Sequence, residues 1–197
     1  MPDNIRKLFI ISGPSGAGKT VLCRELLAAY PDLFKYSIST TTREPRGNEK
    51  EGEEYNFTTV DKFKEMIARE EFLEWAKVHG NYYGTPEKNL IEAFEDGKSF
   101  LLNIDVVGAQ KLKRKKVAGI FIFISPPSFE ILEDRLLKRG LEKEAAFKRR
   151  LANAKREMQT NLWYDFILVN DDFKTAVREL EGIIISCLES EEVSEFY

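Results

Sequence analysis

Hydrophobic positions along this chain fall into short apolar runs, and amphipathic segments separate them. The runs that predict buried strands are Leu8–Ile11, Phe34–Ser39, Phe100–Asp105, Ile120–Ile124 and Phe166–Val169. Apolar residues at helical spacing predict helices over Val21–Tyr30, from Asp105 to about Lys116, and over Phe129–Arg139, Ala145–Met158 and Phe173–Leu188. Alternation of strands and helices predicts an α/β fold, a parallel β-sheet with helices on both faces.

The segment between Ser39 and Gly84 breaks this alternation. A polar stretch from Thr40 to Glu54, punctuated by Pro45 and Gly47, predicts a loop. Short strands are expected at Tyr55–Phe57 and Phe72–Ala76, a helix capped by Asp61 between them, and a helix that Thr85-Pro86 opens and that runs to Phe94. We expect an inserted mixed α/β region that binds a ligand.

Composition excludes some classes of function. The 197 residues suit one domain, and a net charge of −3 gives no overall basic field for nucleic acid or an anionic membrane. The basic run Lys113–Lys116 is interpreted as a helix C-terminus that complements the helix dipole. The N-terminal apolar stretch is too short for a signal peptide or a membrane span, and Cys23 and Cys187 have no metal-type spacing. A cytoplasmic protein is expected.

A glycine-rich loop supplies the first candidate chemistry. It follows the first predicted strand, precedes a helix, has the pattern G-x-x-x-x-G-K-[ST], and consists of Gly13, Pro14, Ser15, Gly16, Ala17, Gly18, Lys19 and Thr20. Backbone N–H groups of such a loop converge on phosphate oxygens at a helix N-terminus. Lys19 is expected at the β- and γ-phosphates of ATP and the Thr20 hydroxyl at Mg²⁺. By itself the loop leaves a kinase, a GTPase and an ATP-driven machine open.

Two arginines offer a second anion site. Arg43 and Arg46 lie in the hydroxyl-rich segment Ser37–Arg46, and guanidinium forks match phosphate oxygens. Taken alone, they could equally be solvated surface residues.

A series of motifs, in order from about Leu8 to about Ile185, resembles the guanylate kinase family. They are the glycine loop, S-x-T-T-R-x-P-R, G-x-x-Y-x-F, E-F-L-E-W, N-Y-Y-G-T and P-P-S. The resemblance implies transfer of the γ-phosphoryl group of ATP to GMP, and to dGMP, with Mg²⁺ bound beside ATP. ATP and GMP are then the expected partners.

The resemblance also implies site residues. Those matched to the GMP phosphate are Arg43, Arg46, Tyr55 and Tyr83, and those matched to the base or its surroundings are Ser39, Glu74, Thr85 and Asp105. A carboxylate such as Glu74 can accept from the N1 and N2 donors of guanine, and hydroxyls can donate to O6. Asn103 departs from the family pattern, which commonly has a carboxylate there; the amide keeps hydrogen-bonding ability but loses a charge.

The implied architecture has three parts in a single domain. They are a core (about 5–36, 88–128 and 162–190), a GMP-binding insertion (about 37–87) and a lid (about 129–161). Lid residues Arg135, Arg139 and Arg150 would neutralise the transferred phosphoryl group with Lys19 and Arg43, and Asn170 would lie near adenine. A GMP phosphate is mostly dianionic at neutral pH, so no catalytic base is required of the single histidine, His79.

Two alternatives remain open at this point. One is a non-catalytic module that keeps the guanylate kinase fold. The intact Lys19 and Thr20 argue against it. The other is a kinase for a different small phosphorylated acceptor, against which the segments around Tyr55, Glu74 and Tyr83 speak.

Overall fold

The fold is that of a computed structural model, which describes residues 6–78, 80–138, 144–159 and 162–190. Its strands are β1 (Leu8–Ser12), β2 (Phe34–Tyr36), β3 (Thr40–Thr41), β4 (Asn56–Phe57), β5 (Phe72–Val78), β6 (Asn81–Pro86), β7 (Ser99–Asn103), β8 (Ile120–Ser125) and β9 (Phe166–Val169). Its helices are α1 (Lys19–Ala29), α2 (Val60–Ala68), α3 (Glu87–Glu95), α4 (Val106–Arg114), α5 (Phe129–Lys138), α6 (Glu144–Met158) and α7 (Phe173–Glu189).

The main sheet is parallel and has the strand order β2-β7-β1-β8-β9. Alternate residues of β1 face opposite layers. Leu8 and Ile10 pack with α3 and α4 on one face, whereas Phe9 and Ile11 pack with α1 and α7 on the other. Because both faces are covered, the first four residues of β1, Leu8–Ile11, are all apolar, as the sequence predicts. The predicted α/β class is confirmed.

A second, mixed sheet has the order β4-β3-β6-β5. Its longest pair is the antiparallel hairpin β5–β6, in which Glu74 lies opposite Thr85. The sequence missed β3 and β6: β3 lies in the stretch predicted to be a loop, and β6 lies in the Tyr-rich segment after the predicted strand. Neither strand shows the regular alternation of apolar and polar residues that marks a strand, and the partners of β3 lie far along the chain.

Two boundaries also differ from the sequence prediction. The N-cap of α2 is Thr59, whose hydroxyl accepts from the Lys62 amide at 3.3 Å, and Asp61 lies inside the first turn. The strand expected over Phe34–Ser39 ends at Tyr36. Asp61 still suits its position, because a carboxylate in the first turn complements the helix dipole.

Helices α5 and α6 contact one another through a small apolar cluster of Leu132, Leu136 and Ala154. Within the described ranges, none of the helices has the length and apolar character needed to cross a membrane. The glycine loop, where the candidate site lies, leaves β1 of the main sheet and approaches Leu132 and Leu136 of α5.

Candidate nucleotide site

The glycine loop between β1 and α1 is shaped by close backbone contacts. Gly13 has φ +142°, and a Cβ there would lie 2.2 Å from the Ile124 carbonyl oxygen on β8. Because any side chain at position 13 would overlap this carbonyl, only glycine lets the loop pass so close to β8. The Lys19 ammonium donates to the Gly13 and Pro14 carbonyls at 2.7 and 3.1 Å. Its charge is therefore held at the loop, where α1 also begins.

Asn170 supports this loop from β9. Its side-chain amide donates to the Ala17 carbonyl at 2.7 Å, and its backbone N–H donates to Ser125 at 2.8 Å. The side chain is 5% exposed, and a Cβ on Gly18 would lie 2.2 Å from its nitrogen. The structure thus gives Asn170 a role in holding the loop that the sequence did not predict; its predicted place near adenine stays a prediction.

Thr20 lies beside the residue that departs from the family pattern. The Asn103 amide donates to the Thr20 hydroxyl at 3.1 Å and to the Tyr36 hydroxyl at 2.9 Å. A hydroxyl at the end of a phosphate loop fits the usual environment of Mg²⁺, which keeps several waters and binds substrate phosphates with few protein ligands. Thr20 is therefore suited to hold the metal together with ATP.

Arg43 is 8% exposed and already has an anionic partner. Its guanidinium donates to both oxygens of Glu49, at 2.9 and 3.0 Å, and to the Glu44 carbonyl at 2.7 Å. Partial burial favours the neutral acid, but Arg43 and the Arg46 amide together hold the pKa of Glu49 below its ordinary value. The sequence did not single out Glu49; its place six residues after an arginine in a polar loop carried no signal.

Aromatic rings surround the same arginine. The guanidinium carbon of Arg43 lies 5.2 Å from the Tyr55 ring centroid, and the Tyr55 and Tyr83 rings are 5.9 Å apart. Arg46 is exposed and its backbone N–H donates to Glu49 at 2.8 Å. The structure therefore brings together the four residues assigned to the GMP phosphate, around a carboxylate that occupies the arginine fork.

Glu74 and Thr85 form a buried polar pair on the hairpin. Glu74 is 5% exposed, and the Thr85 hydroxyl donates to its carboxylate at 2.9 Å. Burial, followed by the nearby charge of Asp105, raises the pKa of Glu74 to about 7, even though Thr85, Lys111 and Lys115 act in the opposite direction.

Asp105 and Ser39 complete the set assigned to the base. Asp105 is the N-cap of α4 and accepts from the Gly108 amide at 2.7 Å. Ser39 is half-buried beside β3, and its carbonyl accepts from Asn56 at 2.9 Å. Asp105 lies close enough to influence Glu74, so the acidic members of this set share one region.

Arginines of α5 and α6 reach the loop. Arg150 donates to the Ser15 hydroxyl at 2.7 Å, and Arg135 donates to the Asn170 carbonyl at 3.0 Å. Both predicted arginines therefore lie at the phosphate end of the site. Arg139 and His79 lie outside the described residues.

Glu157 is a further group at this place that the sequence analysis missed. Burial raises its pKa to about 6, while the charge of Lys19 acts to lower it. The residue lies seven positions after Arg150 and three after the buried Ala154, which puts all three on one face of α6. That spacing was the available signal.

A glycine loop joining a central parallel strand to a helix, with a lysine and arginines directed at it, defines a P-loop nucleotide-binding protein. Comparison with known proteins narrows the class. The family model described as guanylate kinase matches residues 5–187, and the chain belongs to the guanylate kinase family.

Similar proteins agree with this membership. The chain is 49% identical to a guanylate kinase of Carboxydothermus hydrogenoformans over 90% of this chain and 86% of that protein. It is 49% identical to a guanylate kinase of Syntrophotalea carbinolica over 91% of this chain and 85% of that protein. The crystal structure of guanylate kinase from Anaplasma phagocytophilum superposes with a TM-score of 0.77 at 31% identity, over 95% of this chain and 89% of that one.

Proposed function

We propose that this chain transfers the γ-phosphoryl group of ATP to GMP, giving ADP and GDP. The observation that carries the proposal is the buried Glu74–Thr85 pair in a member of the guanylate kinase family whose loop keeps Lys19 and Thr20. The carboxylate supplies a hydrogen-bond pattern that suits guanine, and the loop supplies a site for a nucleoside triphosphate.

The donor half binds ATP. Backbone N–H groups of the loop residues other than Pro14 surround the phosphates, and Lys19 moves from the Gly13 and Pro14 carbonyls to the β- and γ-phosphate oxygens. Thr20 would hold Mg²⁺, which would supply positive charge to neutralise the phosphates of ATP. Because the carbonyl partners of Lys19 belong to the loop itself, the ammonium needs only a short movement.

The acceptor half binds GMP by its two ends. The phosphate is bound by Arg43, Arg46, Tyr55 and Tyr83. When it binds, the Arg43 guanidinium either gives up Glu49 for a phosphate oxygen or donates to both at once. The GMP phosphate has a second pKa of about 6, so near neutral pH it attacks without losing a proton to a base. Catalysis therefore rests on positioning two polyanions and neutralising their charge.

Guanine selection follows from which groups are left unpaired. Ionised Glu74 accepts from guanine N1–H and N2–H, with Thr85, Ser39 and Asp105 around the base. Adenine lacks both donors and would leave a buried carboxylate without a partner, a mismatch that discriminates by about 10⁴-fold or more. We extend the same recognition to dGMP.

The remaining parts of the proposal concern movement and setting. The chain is divided into a core, a GMP-binding insertion over about 37–87 and a lid over about 129–161. Arg135, Arg139 and Arg150 belong to the lid, which excludes water when it closes. The enzyme works in the cytoplasm, in purine nucleotide metabolism, and binds no nucleic acid.

A coupled assay with Mg-ATP and GMP, dGMP, AMP, UMP or CMP as the acceptor tests the proposal. Activity with GMP and dGMP is expected, with kcat/KM for AMP lower by about 10⁴-fold or more. Turnover with AMP alone, or with none of the five, contradicts it. The latter result would favour the non-catalytic binding module, and activity confined to a pyrimidine nucleotide would favour a kinase for another acceptor.

A further inference from the structure

Two lysines of α4 reach across to the strand that carries Glu74. The Lys111 ammonium donates to the Trp75 carbonyl and lies 4.4 Å from the centroid of the Trp75 ring. The Lys115 ammonium donates to the Leu73 carbonyl at 3.2 Å. The two acceptors are the residues immediately before and after Glu74, so the cations bracket it along the strand.

The position of β5 explains why these carbonyls are available. In the described chain β5 ends its sheet, with β6 as its neighbour, so its outer edge needs hydrogen-bond partners from elsewhere. Helix α4 supplies them. A Cβ on Gly108 would lie 2.7 Å from a carboxylate oxygen of Glu74. Gly108, Lys111 and Lys115 are three and four residues apart, so one face of α4 lies against β5.

The basic residues near the end of α4 therefore do not act alike. Lys113 faces the main sheet, where its ammonium lies 3.6 Å from Asp165 and 4.7 Å from the Phe121 ring centroid. Lys111 and Lys115 face the second sheet instead. The sequence interpretation, a helix end that complements its dipole, accounts for the presence of basic residues but not for this division.

We propose that Lys111 and Lys115 are positioning residues for guanine recognition, because their charge on either side of Glu74 keeps its buried carboxylate ionised and able to accept two hydrogen bonds. The proposal rests on Glu74 being the reader of guanine. The charged and titratable groups around Glu74 are Asp105, which opposes ionisation, and Lys111 and Lys115, which favour it; the Thr85 hydroxyl also favours it. Loss of both lysines removes the cations that offset Asp105.

The test is a double variant, Lys111→Met with Lys115→Met, compared with Arg114→Met, which removes one positive charge from an exposed position of the same helix. At about pH 6.5 we expect KM for GMP to rise about 5- to 10-fold in the double variant, and at about pH 8.5 to stay within about 2-fold of the parent. KM for ATP should be unchanged. The GMP phosphate titrates identically in every variant. The ratio of the variant's KM to the parent's KM at each pH therefore reports only the ionisation of groups in the protein.

A double variant with arginine at both positions should restore the parent KM, since guanidinium keeps the charge and the donors. Should the methionine double variant fold poorly, Lys115→Met alone is measured at the same two pH values, with about half the logarithmic effect expected. An equal rise in KM at both pH values, as loss of packing alone would give, overturns the proposal. So does a double variant that behaves like Arg114→Met.

Glu74→Gln in the same assay separates this inference from the proposed function. If Glu74→Gln leaves KM for GMP unchanged, the assignment of Glu74 fails, and the inference fails with it. If Glu74→Gln raises KM and removes its dependence on pH while the lysine variants match Arg114→Met, the inference alone fails.

Discussion

The donor loop and the acceptor sheet are built from different interactions. The loop over residues 13–20 is held mostly through its backbone carbonyls, which accept from Lys19 and from the neutral Asn170, and Arg150 contacts the Ser15 hydroxyl. The acceptor region is held by charges: Arg43 with Glu49, and Glu74 between Asp105 and two lysines. Such charges respond to a ligand and to pH, whereas a backbone cradle does not. We infer that the acceptor region carries the selectivity of the enzyme.

The largest expected effect is on the donor side. Lys19→Met removes the one charge of the loop that neutralises the transferred group, so kcat should fall by roughly 10³-fold. KM for GMP should change by less than about 3-fold, because the Lys19 ammonium donates to the Gly13 and Pro14 carbonyls on the donor side of the site. Steady-state kinetics measure both, with Lys174→Met at an exposed position of α7 as the control. A Lys19→Met enzyme with near-parental kcat would remove Lys19 from the chemistry.

Arg43→Met makes the matching change on the acceptor side. A charge-assisted bidentate contact contributes about 2–3 kcal/mol, so KM for GMP should rise about 30- to 160-fold, with a lower kcat and unchanged ATP affinity. Arg69→Met, which removes an exposed arginine at the end of α2, is the matched control. Unchanged GMP kinetics in Arg43→Met would exclude Arg43 from the phosphate site.

The buried charge of Glu74 should also be visible in stability. Burial raises its pKa to about 7, so the folded protein binds the proton more tightly than the unfolded chain does. The free energy of unfolding therefore falls as pH rises from the ordinary glutamate range through about 7. Between pH 5 and pH 8, the free energy of unfolding should fall by about 2 kcal/mol less in Glu74→Gln than in the parent.

Urea unfolding at the two pH values measures this difference. Glu95→Gln, at an exposed position of α3, should leave the pH dependence as it is in the parent. A Glu74→Gln protein whose stability changes with pH exactly as the parent's does would show that Glu74 has no raised pKa.

The smallest expected effect concerns Asn103. Its amide donates to the Thr20 hydroxyl, whereas a carboxylate would accept from that hydroxyl and leave the oxygen lone pairs to Mg²⁺. Asn103→Asp should lower the free Mg²⁺ concentration for half-maximal rate about 3-fold, through added negative charge near the metal. Titration of Mg²⁺ at fixed ATP measures it. A higher Mg²⁺ requirement would contradict the proposed place of the metal.

Sequence alone predicted the donor region well and the acceptor region incompletely. The loop is continuous in the chain, and the spacing of its glycines, lysine and threonine is specific to phosphate-binding loops. Recognising Gly13–Thr20 therefore required only a predicted strand before it and a predicted helix after it. The main sheet was predictable for the same reason: its strands are apolar on both faces. The short polar strand β3 gave no comparable signal because its pairing partners lie far along the chain, and β6 lacks the regular alternation of apolar and polar residues that marks a strand.

Several contacts of the site depend on tertiary packing and were out of reach of the sequence. Asn170 beneath the loop and Glu157 near Lys19 join residues from separate elements, and Glu49 reaches the fork of Arg43 only through the conformation of the loop that carries both residues. The sequence shows that Lys111 is positively charged, but it does not show that the side chain is directed toward β5. The resemblance to a family supplied the list of site residues, and the structure supplies how they are held.

Calorimetric titration of GMP and of a non-hydrolysable ATP analogue into Lys19→Met and Arg43→Met tests most directly that the site consists of two separate halves. Lys19→Met should bind the ATP analogue at least about 10-fold more weakly and GMP as the parent does, and Arg43→Met should show the reverse. Equal losses for both ligands in both variants would contradict the account.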